Sequence, residues 1–130
     1  MSNYRDLQVW EKAHKLTLAI YQGTCDFPRE ERFDLTSQIR RSSASIPANF
    51  AEGCGRRSDG EMARFIQISM GSGLELSYHL LLARDLDLLK NTEYSRLNSD
   101  LEEVMRMQSS LSQKIRNALA ALRFKPRARS

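Results

Sequence analysis

Residues 97–122, LNSDLEEVMRMQSSLSQKIRNALAAL, decide the fold. Leu97, Leu101, Val104, Gln108, Leu111, Ile115, Ala118 and Leu122 follow one another by alternate steps of four and three. That spacing places all eight side chains on one stripe of an α-helix, the seam a helix presents to a bundle. The stripe predicts a helix over about 92–123, with Pro126 marking its end. Residues 125–130 then form a basic, flexible tail.

Working towards the N-terminus, three more segments show the same period. Met62, Phe65, Ile66, Ser69, Gly73, Leu76, Leu80 and Ala83 predict a helix over about 58–89. Ser58 and Glu61 have capping-box spacing at its start, and Lys90-Asn91-Thr92 forms the turn that follows. Leu35, Ile39, Ser42, Ile46 and Phe50 predict a helix over about 30–52, stopped by Gly53 and Gly55. Pro47 lies inside it, where a proline removes one donor and frees the carbonyl of Ser43. Leu7, Trp10, Ala13, Leu16, Thr17 and Ile20 predict a helix over about 5–22. No segment alternates like a strand. The fold class is therefore all-α, an antiparallel up-down-up-down four-helix bundle over 1–124, built from helices of similar length. Ser42, Ser43, Ala44 and Ser45 face Gly71-Ser72-Gly73 in this arrangement, so the second and third helices are expected to approach closely, with Gly73 at the contact.

The chain has 130 residues, 41% of them hydrophobic, which suits one domain with a core of its own. No apolar run is long enough to cross a bilayer. Met1 to Asp6 lacks a basic stretch followed by an apolar one, so a secretory signal is not expected and a cytoplasmic location is. Cys25 and Cys54 fall at opposite ends of the second helix, roughly 30 Å apart at 1.5 Å per residue. An intrachain disulfide is thereby excluded, and both are read as free thiols.

Net charge is +4 and unevenly placed. From Lys114 to Ser130 there are six basic residues and no acid, while the rest of the chain holds 14 basic and 16 acidic side chains. In an up-down-up-down bundle both termini share one end with the turn between the second and third helices. That end collects Arg5, Arg56, Arg57, Arg64, Arg123, Lys125, Arg127 and Arg129. The opposite end collects Asp26, Glu30, Glu31, Asp34, Asp85, Asp87 and Glu93, with Arg29, Arg32, Arg84 and Lys90 among them.

Catalytic signals are missing. His14 and His79 are the only histidines, and neither has a partner at metal-ligand spacing. The Glu-x-x-His pairs of di-iron bundles do not occur. Gly53-Cys54-Gly55 and Gly71-Ser72-Gly73 lack the P-loop pattern and the preceding strand. Cys54 precedes Arg56 and Arg57, which favours the thiolate, but no base accompanies it. No cofactor, metal or catalytic residue is expected.

The second helix also carries a polar stripe: Gln38, Arg41, Ser45, Asn49 and Glu52, spaced 3, 4, 4 and 3. Two readings stay open, a solvated flank and a buried or interfacial hydrogen-bond line that fixes register. Val9, Leu18 and Tyr21 on the first helix are likewise surplus to a single core. Together they suggest self-association. Arg41 and Glu52 lie three turns apart and cannot pair with each other; each would meet an opposite charge on a neighbouring subunit, with Glu75 as a further member.

Phe27-Pro28-Arg29-Glu30-Glu31-Arg32-Phe33-Asp34-Leu35, Gln38-Ile39-Arg40-Arg41 and Ser45-Ile46-Pro47-Ala48-Asn49-Phe50-Ala51-Glu52-Gly53 resemble the signature of a bacterial four-helix-bundle family. It includes proteins encoded by intervening sequences in large-subunit ribosomal RNA genes and the accessory variability proteins of diversity-generating retroelements. Tyr4 to Trp10 and Gly71 to Leu76 fit the same pattern, and the tail after Leu122 lies outside it. The resemblance implies the bundle fold, a homo-oligomeric ring of five subunits and no catalysis. For the retroelement branch it implies binding to nucleic acid and to a reverse transcriptase. The leading expectation is a non-enzymatic, ring-shaped scaffold binding nucleic acid, RNA before DNA, through its basic end. The alternative is a protein-interaction module that binds no nucleic acid.

Overall fold

The computed structural model describes residues 3–31 and 34–123. Four helices account for most of them: α1 Gln8–Gly23, α2 Leu35–Cys54, α3 Asp59–Asp85 and α4 Asn91–Arg123. Single 3-10 turns, Tyr4–Asp6 and Arg29–Glu31, precede α1 and α2. The chain is all-α and its helices pack as a four-helix bundle. Each helix packs on its neighbours in sequence, and α4 closes the square against α1. Lys125, Arg127, Arg129 and the rest of the expected tail lie outside the described residues.

The helices are not of similar length. With 16 residues in α1 and 33 in α4, they span about 24 and 50 Å at 1.5 Å per residue. The last turns of α4 therefore run past the core. Ala118 and Leu122 continue the seam pattern yet are exposed, Leu122 at 64%.

Several boundaries differ from the sequence reading. Helix α3 stops at Asp85, short of Leu89, because Asp87 turns left-handed at φ 60°. An aspartate tolerates that conformation better than most residues. The reversal lets the Leu88 N–H donate to the Ala83 carbonyl at 2.9 Å and swings Leu89 into the core. At the other end of α3, the Ser58 hydroxyl accepts from the Glu61 N–H at 3.2 Å, half of a capping box. Helix α2 starts later than expected, at Leu35, and runs on through Gly53, which is buried. A Cβ there would stand 3.0 Å from the Cβ of Phe65, so any larger residue would push α2 and α3 apart by a few tenths of an ångström.

The core has two apolar clusters. One gathers Ala13, Leu16, Ile20, Ile39, Ile46, Leu76, Leu80, Leu97, Leu101 and Val104 with their neighbours. The other gathers Val9, Phe50, Met62, Ile66 and Ile115. Val9 thus belongs to the core, at 5% exposure, and is not surplus to it. Each fully buried Ile, Leu or Phe contributes roughly 1.5–3 kcal/mol by leaving water. Along α3 and α4 the clusters are separated by polar side chains, Ser69, Gln108 and Ser112, all buried. There the Gln108 amide donates to the Ser69 hydroxyl, which donates onward to the Ile46 carbonyl at 3.0 Å. Three helices are joined by this relay.

Pro47 sits inside α2 as expected. The Ser43 carbonyl it frees is met from outside the helix: the Thr17 hydroxyl of α1 lies 3.0 Å away. The close contact expected of Gly73 with α2 is not found. Gly73 faces α4, where an added Cβ would overlap the Met105 sulphur. The approach of α2 to α3 runs instead through Gly53, the Ser45–Ser72 hydroxyl pair at 2.8 Å, and Ser69.

Candidate nucleic-acid interface

The cluster around Phe50 fixes one end of the bundle. Leu7, Cys54, Ala63 and Leu119 pack around it, bringing together the start of α1, the end of α2, the start of α3 and the end of α4. Arg5, Arg56, Arg57, Arg64 and Arg123 therefore emerge at the same end, and all five are exposed. Their surroundings differ. Arg56 is committed to Glu52, 2.6 Å away and one turn back on the same strand of chain. Arg56 and Arg64 also lie over the Phe65 ring, 4.9 and 5.5 Å from its centroid. Arg5 lies over Tyr4, whose ring meets Trp10 edge-on. Arg5, Arg57, Arg64 and Arg123 have no carboxylate within 4 Å among the described residues.

Charge along α4 is segregated more sharply than the sequence reading recognised. Asn91 to Glu103 holds Glu93, Asp100, Glu102 and Glu103 against Arg96 alone. Val104 to Arg123 holds Arg106, Lys114, Arg116 and Arg123 and no acid. In the first half two of the four acids are paired: Glu93 with Arg96, and Glu103 with Lys12 of α1 at 2.7 Å. The hydrogen bond and charge of Lys12 hold the Glu103 carboxyl below its usual range. In the second half no cation forms an ion pair among the described residues. Arg106 and Lys114 border a groove of about 340 Å³ floored by Leu7, Val9, Met107 and Leu111. Arg106, Lys114 and Arg116 were missed as interface candidates. The signal for them was the absence of any Asp or Glu after Glu103.

The polar stripe of α2 is a hydrogen-bond line, but not a buried one. Asn49 donates to the Ser45 carbonyl at 2.8 Å and the Ser45 hydroxyl at 2.9 Å, and Ser45 meets Ser72 of α3. These residues are half-buried along the α2–α3 seam, whereas Gln38, Arg41, Glu52 and Glu75 are exposed. Gln38 donates to Asp34 at 3.3 Å. Glu52 finds its counter-charge in its own chain, Arg56, so it does not need a neighbouring subunit for one. On the outer surface Leu18, Tyr21, Ile68, Leu74, Tyr78 and Leu86 are exposed apolar side chains.

Among the described residues no group of three or more His, Cys, Asp or Glu side chains is placed to hold a metal ion. No helix among them is long and apolar enough to cross a membrane. His14 stacks on Trp10 at 5.1 Å, and His79 is buried beside Tyr78. Burial pushes the Cys54 thiol above its ordinary range, against the expectation that Arg56 and Arg57 would favour its thiolate.

The family model for 23S rRNA-intervening sequence protein matches residues 5–110. The chain belongs to this family. Among curated proteins no match is found. A crystal structure at 1.70 Å of a Bacteroides thetaiotaomicron protein of unknown function, from the S23 ribosomal protein family, shares the fold. It is 23% identical, with a TM-score of 0.73 over 80% of this chain and 97% of that one. The family match ends at residue 110, so much of the acid-free half of α4 lies beyond it.

Proposed function

We propose that this protein is a non-enzymatic, self-associating scaffold that binds structured RNA through its basic end. The observation that carries the reading is the second half of α4. Its four cations have no carboxylate partner among the described residues, and it leaves the bundle at the end that carries Arg5, Arg57 and Arg64. Unpaired cations on a fixed helix meet phosphates without first breaking an ion pair. Each phosphate neutralised releases counterions and contributes roughly −0.7 to −0.9 to the salt slope. Of the aromatic rings at this end, Phe65 lies under Arg56 and Arg64, Tyr4 lies under Arg5, and Trp10 is taken up by Tyr4 and His14, which leaves each little access to a base. Recognition by backbone and shape, not by base stacking, suits that arrangement and suits RNA.

Self-association multiplies the patch. Exposed Leu18, Tyr21, Ile68 and Tyr78 supply apolar contact area on α1 and α3. A ring formed by head-to-tail contacts would repeat the same basic end on one face. The number five, and cyclic closure itself, come from the family resemblance. A reverse transcriptase partner belongs to this proposal only in the retroelement branch.

The test is fluorescence anisotropy of a labelled, structured RNA at several salt concentrations, with light scattering on the same samples. Wild type is expected to bind with a slope of several phosphates. Arg116→Gln with Arg123→Gln should weaken binding and flatten the slope, while Arg56→Ala, already neutralised by Glu52, should change it least. Absence of RNA binding at low salt would leave the protein-interaction reading, which exposed Leu74 and Tyr78 of α3 and Leu86 of the following turn favour. A mass near 14.9 kDa at micromolar concentration would reject self-association.

A further inference from the structure

We propose a second anion site at the opposite end of the bundle, built by the start of α2 and taking a phosphate group. A cavity of about 200 Å³ lies between the end of α1 and the first turns of α2. Its polar lining is Thr24, Cys25, Arg29, Thr36 and Arg40, with Phe27 and Pro28 completing the wall. Among the described residues the lining therefore holds two arginines and two threonines and no carboxylate, and the Thr24 hydroxyl already donates to the Ile20 carbonyl at 2.9 Å.

Three independent features converge there. First, α2 begins without a side-chain cap. Asp34, at the capping position, makes no bond to the helix's own N–H groups, and its carboxylate accepts from Gln38 instead. The first turn contains no acid. Among the described residues no side chain caps its first N–H groups, and the positive end of the helix dipole favours an anion there. Second, Thr36 is only 8% exposed, and its hydroxyl is buried with no hydrogen-bond partner. A buried, unsatisfied hydroxyl costs free energy that a bound acceptor would recover. Third, Arg40 is held in place. Its Nε donates to the Thr24 hydroxyl at 2.9 Å and its Nη2 to the Tyr21 carbonyl at 3.1 Å, and its guanidinium covers the Tyr21 ring. A guanidinium has five N–H donors, so Arg40 retains donors for a ligand after making both bonds. Arg29 forms no ion pair among the described residues.

The surroundings choose the size of the anion. Asp26, Glu30, Glu31 and Asp34 belong to the same connection but do not line the cavity. An extended polyanion would bring further phosphates against those carboxylates. A single tetrahedral oxyanion avoids them, and its size suits the cavity. The ligand class is therefore inorganic phosphate or the phosphate of a small monoester. This site is separate from the basic end and stands whether or not the protein binds RNA.

The experiment titrates the full-length protein with inorganic phosphate in one arm and adenosine monophosphate in the other. Ionic strength is constant, with calorimetry and melting temperature as readouts. Wild type should bind saturably in at least one arm. The arm that binds more tightly identifies the free anion or the ester as the preferred source. Arg29→Gln and Thr36→Val should each weaken binding about tenfold, the weight of one charge-assisted hydrogen bond, while Lys15→Gln, on the outer face of α1 beside Glu11, should leave it unchanged. In phosphate-free buffer Thr36→Val should melt no lower than wild type, since it removes an unpartnered hydroxyl, and phosphate should no longer raise its melting temperature. Failure of wild type to saturate with either ligand would overturn the site, as would unchanged binding in both variants.

Discussion

The Thr17 hydroxyl stands 3.0 Å from the Ser43 carbonyl, the acceptor that Pro47 deprives of its helical donor. The same hydroxyl is 3.0 Å from the Ala13 carbonyl of its own helix, so one proton is shared between an α1 acceptor and an α2 acceptor. A proline inside a helix is tolerated where a neighbour satisfies the freed group. Thr17→Val keeps the shape and removes the donor, and should cost about 1–3 kcal/mol. Pro47→Ala restores the N–H to Ser43. In that background the cost of Thr17→Val should fall by more than half. Urea unfolding of the four proteins measures this; equal costs in both backgrounds would show that Thr17 does not serve Ser43.

The relay from Gln108 through Ser69 to Ile46 predicts two unequal losses. Ser69→Ala strands the buried Gln108 amide and removes a donor from Ile46, so it should cost about 1–3 kcal/mol. Gln108→Leu leaves the Ser69–Ile46 bond intact and removes a buried oxygen, Oε1, that has no partner. It should be near neutral or stabilising, because replacing a half-satisfied polar group by an apolar one recovers its desolvation cost. Chemical denaturation ranks the pair, and a larger loss for Gln108→Leu would show that its oxygen is satisfied in solution.

Gly73 and Met105 are coupled through the space that a side chain on Gly73 would take. Gly73→Ala must push the flexible end of Met105 aside, and alanine's helix propensity offsets part of that, so the net loss should be at most about 1 kcal/mol. Met105→Ala opens that space, so the double variant should recover part of the loss. Additive effects in a double-mutant cycle would mean that the two residues do not meet.

How far such relationships were legible in the sequence depends on what a linear pattern encodes. The steps of four and three from Leu97 to Ile115 reported a buried face, and that face is buried except for partly exposed Leu111. They did not report what lies opposite, so Gly73 was assigned to α2 when it meets α4. Thr17 was read as one more member of an apolar stripe, because its partner is 26 residues away. The end of α3 was misplaced because Leu86 to Lys90 contains no glycine, and the left-handed residue is Asp87. At the basic end the Glu52–Arg56 pair follows the i,i+4 rule and was open to reading, as was the loss of acids after Glu103. The Glu52–Arg56 pair was not drawn, and the acid-free stretch was read only from Lys114 onward. The α2 cavity had no motif; it arises where two helix ends and a connection meet.

The Cys54 thiol gives a pH prediction. Burial raises its pKa in the folded protein, so the native state holds this proton more tightly than the unfolded chain does. Its contribution is fully present below the unfolded thiol pKa, about 8.5, and is lost as pH rises through the folded value. Cys54→Ala should therefore flatten the decline in stability above that pH. Thiol titration of the native protein should also show Cys25, which is exposed, reacting ahead of half-buried Cys54. Equal rates, or an unchanged alkaline decline, would contradict this.

The connections between helices are unequal, and that orders the assembly of the chain. Only Gly55 to Ser58 separates α2 from α3, and Leu86 to Lys90 separates α3 from α4, whereas Thr24 to Asp34 intervenes between α1 and α2. Short closures lose the least entropy before contacts repay it. The α2–α3 hairpin, already tied by Ser45–Ser72 and Ser69–Ile46, is therefore the cheapest nucleus, and α4 follows over its second short turn. On closure entropy helix α1 is expected to dock last, and its arrival brings Thr17 to the Ser43 carbonyl. Until then the interior proline keeps the nucleus incomplete, so the residue that breaks the helical pattern makes α2 depend on the far end of the folding sequence.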